Sequence, residues 1–68
     1  MTYIATFFSH FGAIRFKKLM ETKVKNIVLM PVPRSVSSSC GTCAKFEAEN
    51  IENIDFSVIE ELDKIIEI

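Results

Sequence analysis

Both cysteines of this 68-residue chain fall in one block, Pro31-Val-Pro-Arg-Ser-Val-Ser-Ser-Ser-Cys-Gly-Thr-Cys43. Thiols at the Cys40-Gly-Thr-Cys43 spacing permit three kinds of chemistry. A Cys-x-x-Cys pair can close a small disulfide, and the spacing often lowers the first thiol's pKa. Two thiolates can instead supply half of a tetrahedral metal site. Alternatively, Cys40 alone acts as a nucleophile or carrier, with Cys43 accessory. The surroundings suit the last: Ser37, Ser38 and Ser39 offer hydroxyls, and Gly41 and its neighbours offer backbone N–H groups. Arg34, folded back over the loop, would favour the thiolate, and a persulfide or selenopersulfide on that sulfur would use the same donors. Against all three stands a purely structural role, two small packed cysteines flanking a turn.

The flanking sequence weighs these readings unequally. Redox pairs of the thioredoxin type sit at a helix N-terminus, whereas this pair runs from a loop into a strand. For a metal site through Cys40 and Cys43 the chain offers His10 as its one further soft ligand, with no second cysteine pair. A dimer contributing four cysteines would complete the set, so the alternative function is a non-catalytic dimeric module that binds metal through Cys40 and Cys43 or acts only as a protein-interaction domain. His10 itself reads as a solvated residue at a helix start, and Glu60-Glu61 as a solvated helix end rather than an acid/base couple. The six phenylalanines read as core or dimer face.

The elements that must position the cysteines follow from the pattern. Residues 2–8 are β-branched and aromatic, which predicts a strand. Ser9 then suits a helix N-cap, and Phe11, Ile14, Leu19 and Met20 recur near helical spacing, predicting a helix over 10–22. Its lysines lie toward the C-terminal end, where the helix dipole favours them. The apolar run Ile27-Val28-Leu29-Met30, closed by Pro31 and Pro33, predicts a second strand at a sheet edge. Residues 33–41 form a loop in which Gly41 supplies conformational freedom, and Thr42–Phe46 a third strand. Ile51, Ile54, Val58, Ile59 and Leu62 form a helical stripe that Asp55-Phe56-Ser57 could interrupt, and Lys64–Ile68 closes as a strand. The expected fold is α+β: a ferredoxin-like βαββαβ arrangement, a four-stranded antiparallel sheet with two helices on one face. It spans residues 1–68 as one domain.

The totals narrow the function classes. A domain this size buries only about 60% of its unfolded surface, yet 49% of the residues are hydrophobic. An efficient core together with a self-associating face accounts for both, so the chain is expected to form a homodimer through its apolar edge strand. The net charge is −1, too little basic field for nucleic acid or an anionic membrane. Charge is nonetheless divided. Arg15, Lys17, Lys18, Lys23 and Lys25 cluster early, and every acid except Glu21 lies from Glu47 onward. No run approaches the about 20 apolar residues of a membrane span, and no export segment opens the chain. The expected compartment is the cytoplasm, where thiols stay reduced.

The cysteine block resembles that of the selenium/sulfur carrier protein-like family, small domains also found fused to sulfurtransferase-like proteins of selenium metabolism. The matching residues are Pro31, Val32, Pro33, Arg34, Val36, Ser37, Ser38, Cys40 and Gly41. They follow that family's Pro-x-Pro-Arg, aliphatic, Ser-Ser, any residue, Cys-Gly. The layout around the block fits as well, with a first strand ending in Phe-x-Ser and an Ile-rich last strand. The resemblance implies a ferredoxin-like domain whose Cys40 carries sulfur or selenium as a persulfide between donor and acceptor proteins. It implies a carrier or accessory protein more than a stand-alone enzyme, with no cofactor. Two departures stand out. Cys43 replaces the more usual apolar residue, which makes a resolving role for it particular to this chain, and the segment after Phe46 is a few residues short.

Overall fold

A computed structural model describes residues 1–36 and 40–68. The chain forms β1 (Thr2–Phe7), α1 (His10–Met20), β2 (Lys25–Pro31), β3 (Thr42–Glu47) and β4 (Leu62–Glu67). The four strands pair antiparallel in the order β2-β3-β1-β4. β1 and β3 are therefore central. β1 buries every residue from Tyr3 to Phe7, which matches its aromatic and β-branched composition. β2 lies at one edge, where Pro31 disturbs the ladder least.

α1 begins where expected. Ser9 has extended backbone and its hydroxyl accepts from the Gly12 N–H at 3.2 Å, satisfying one of the helix's orphan donors. Of the four residues in the expected apolar stripe, Met20 alone faces the core. Gly12, Ala13, Phe16 and Met20 are buried, whereas Phe11, Ile14 and Leu19 are exposed. Close approach decides the orientation. A Cβ on Gly12 would run into the Cβ of Glu61, so the thin Gly12-Ala13 side is the one that can lie against the turn entering β4.

Phe16 is the hub of the core. Its ring lies 5.2 Å from Phe7, 5.6 Å from Phe46 and 6.0 Å from Phe56 between centroids, and Phe46 stacks on Tyr3 at 5.5 Å. Ile59 completes the cluster, with Ile51, Ile54 and Phe56 packed against it.

These last residues belong to the segment expected to be a second helix, and here the structure corrects the sequence reading. Residues 48–61 form turns, so the two-helix ferredoxin-like βαββαβ arrangement is not matched. Isolated i→i+3 bonds run from Ile54 N to Ile51 O and from Ile59 N to Phe56 O. The Asn50 and Asp55 side chains capture the N–H groups of Glu52 (2.8 Å) and Ser57 (2.9 Å). Such local side-chain bonds compete with the i→i+4 ladder and stop a helix from propagating. The apolar residues still reach the core, so the segment covers the same face that the helix would have covered.

Ile4, Thr6 and Cys43 are buried outside that cluster. Alternation along β1 and β3 places them on the opposite face of the sheet from Ala5 and Ala44. Thr6 donates to Asp63 at 3.3 Å, next to a register shift in the β1–β4 pairing.

Candidate functional site

The cysteine block lies at the end of the sheet where β1 and β2 finish and α1 and β3 begin. β2 and β3 pair as far as Pro31 opposite Thr42, and a further bond from Val32 N to Gly41 O (3.1 Å) carries the ribbon one residue on. Residues 33–40 form the connection. It opens with a turn closed by Val36 N to Pro33 O at 3.0 Å, a place that suits the fixed φ of Pro33.

The two cysteines occupy different environments. Cys43 is the second residue of β3, opposite Met30 on β2 and Thr6 on β1, and is 0% exposed. Its thiol donates to the Pro31 carbonyl at 3.7 Å. Burial pushes its pKa up, since the thiolate would lose hydration without gaining a compensating charge. Cys43 is therefore held as a protonated, packed thiol. Cys40 lies outside β3 and is half-buried.

The remaining expected site residues divide. Arg34 is exposed within the Pro33–Val36 turn. Gly41 is exposed, its φ is negative, and nothing lies within 4 Å of the position a Cβ would take. Gly41 thus does not use the positive-φ region that glycine alone enters freely. Ser37, Ser38 and Ser39 fall outside the described residues. Among the described residues no group of three or more His, Cys, Asp or Glu is placed to hold a metal.

The structure adds a residue that sequence reasoning set aside. His10 Nδ1 lies 2.9 Å from Thr42 Oγ1, with the donor set by the ring tautomer. β1 pairs with β3 through Thr6 opposite Cys43. The helix that follows β1 therefore starts beside the first residue of β3. The pair is 32 residues apart in sequence, and only the β1–β3 register, which periodicity does not supply, could have revealed it. The first residue of α1 thus meets the first residue of β3, two positions after Cys40, although the motif itself runs from loop into strand.

A model of the family described as Putative Se/S carrier protein-like matches residues 2–67. The chain belongs to that family. No curated protein and no solved structure matches the chain. The family model covers every strand, α1 and the whole Pro31–Cys43 block.

No helix is long and apolar enough to cross a membrane among the described residues. An open cleft of about 660 Å³ lies near the other end of the sheet, lined by residues including Lys23, Lys25, Glu47 and Asn50. Neither cysteine borders it.

Proposed function

We propose that the protein carries sulfane sulfur or selenium on Cys40 and passes it between partner proteins. The contrast between the two thiols supports this reading most directly. Cys43 is sealed and protonated, whereas Cys40 is half-buried in a loop. Family membership supports the cargo class.

Loading would be a thiol exchange. The Cys40 thiolate attacks the terminal sulfur of a donor persulfide, the donor's S–S bond breaks, and the donor thiolate leaves as a Cys40 persulfide forms. An acceptor thiolate then attacks the outer sulfur, and Cys40 departs as thiolate. No net oxidation occurs in either step, and the rate follows the thiolate fraction and its access. A transfer between proteins needs no enclosed substrate pocket. A reducing compartment such as the cytoplasm would keep Cys40 ready to accept.

In this proposal Arg34 and the Ser37–Ser39 run stabilise the thiolate, which requires Arg34 to swing inward from its exposed turn. Gly41 leaves room for a partner's sulfur to approach. Cys43 supports the loop from beneath. Release through a Cys40–Cys43 disulfide, or shared metal binding by the pair, would first have to break the Cys43–Pro31 contact and expose the thiol. A homodimer through β2 belongs to the same proposal. The strand is at the sheet edge and Val28 is 49% exposed, though Ile27 and Leu29 pack on the core.

The deciding experiment is mass spectrometry of the intact protein after exposure to a persulfide or selenopersulfide donor, which brings the sulfane atom already at the oxidation level that exchange requires. One added sulfur or selenium that disappears in Cys40→Ser and persists in Cys43→Ser supports the proposal. Equal loading of Cys40→Ser defeats it.

A further inference from the structure

We propose that His10 is a positioning residue for Cys40, latching the cysteine loop to the first turn of α1 through Thr42. This inference rests on the reading of Cys40 as the carrier thiol. On the β2 side, the strand end before Cys43 is tied by the Val32 N to Gly41 O bond. On the β1 side the register ends at Thr6 opposite Cys43. Beyond that point the Thr42 hydroxyl meets the α1 side through its 2.9 Å contact with the His10 ring. Thr42 precedes Cys43 by one residue and follows Cys40 by two, so fixing its side chain limits where Gly41 and Cys40 can go. His10 is itself fixed, because Ser9 caps the helix that it opens.

The chemistry of the pair suits a latch. A threonine hydroxyl carries one proton and two acceptor sites, and a neutral imidazole offers one donor and one acceptor nitrogen. The contact can thus be kept with either tautomer. It ties the α1 N-terminus to the strand end two residues after Cys40, which restricts the positions that the sulfur can take. Loss of the latch lets the loop depart from that arrangement and lowers the reactivity of the thiol.

The test measures the alkylation rate of Cys40 by peptide mass spectrometry, which separates it from Cys43, in variants whose melting curves match the parent. His10→Phe and Thr42→Val should each slow alkylation about fivefold, the loss corresponding to one hydrogen bond. The double variant should be slowed about fivefold as well, not about 25-fold, because both changes remove the same contact. His10→Asn, with a polar atom near the Nδ1 position, and Thr42→Ser should restore the parent rate. Parent-like alkylation in His10→Phe, multiplied effects in the double variant, or failure of both conservative variants would overturn the proposal. Persulfide loading of the parent protein is scored separately. Its absence would remove the carrier reading, while the alkylation series would still decide the latch.

Discussion

The Cys43 thiol donates to the Pro31 carbonyl at 3.7 Å and joins the two strands that flank the cysteine loop. This contact separates the Cys-x-x-Cys pair into a sealed strand residue and a half-buried loop residue. Burial makes Cys43 part of the scaffold, and its partner is the proline at which β2 ends. Cys43→Ala should therefore cost about 1 kcal/mol of stability, from a small cavity and a lost weak bond. Denaturant unfolding would measure the cost, and sulfur loading on Cys40 should survive it.

The raised pKa of Cys43 also gives a pH dependence. Folding keeps the thiol protonated at pH values where the unfolded chain ionises it. The native state then binds more protons, and stability falls with rising pH. The contribution is fully present below about pH 8.5, the ordinary thiol value. It is lost progressively as pH climbs through the folded-state value. Unfolding curves from pH 7 to 10 should show this decline in the parent and a shallower one in Cys43→Ala.

Gly12 should be intolerant despite lying in a helix. Alanine would gain about 1 kcal/mol in helix propensity, but its Cβ would meet the Cβ of Glu61. Overpacking of this kind costs about 1–3 kcal/mol, so the melting temperature of Gly12→Ala should fall. The neighbouring Arg15–Glu61 pair at 3.2 Å is partly solvated, and Arg15→Met should change stability by less than about 1 kcal/mol.

Asn26 is the non-glycine residue with positive φ among the described residues, at 53°, where the β2–β3 register shifts. Its amide donates to Glu47 at 2.7 Å. Asn26→Gly should be nearly neutral, trading that bond for an unstrained backbone, while Asn26→Val should cost about 1–2 kcal/mol. Thermal melts of the two variants would separate backbone strain from the lost side-chain bond.

The sequence carried the strands well because β-branched and aromatic residues cluster in β1 and β2, and because prolines mark the end of β2. The capping hydroxyl of Ser9 and the position of the cysteine loop were legible for the same local reasons. What failed depended on tertiary contact. Phe11, Ile14 and Leu19 looked like the buried stripe of α1, but only the fit of Gly12 against Glu61 reveals which side faces inward. The Ile51–Leu62 spacing suggested a helix, yet Asn50 and Asp55 spend their side chains on the backbone and leave turns. At the site, the serine and glycine neighbours already favoured Cys40 over Cys43 in sequence, but not the burial that separates them. Strand register alone seals one of them, and the same register brings His10 to Thr42.

Homodimer formation through β2 would show in light scattering as twice the chain mass at micromolar concentration. Val28→Lys, on the exposed part of that edge, should return the protein to monomer and remove the concentration dependence of its melting temperature. A monomeric parent would remove the dimer from the proposal and leave the carrier chemistry standing.

The most direct test of the central claim is intact-mass analysis of protein treated with a persulfide donor, comparing the parent with Cys40→Ser and Cys43→Ser. One added sulfur on the parent and on Cys43→Ser, with none on Cys40→Ser, is the expected result. An unmodified parent, or an adduct that follows Cys43, would contradict the assignment of Cys40 as the carrier.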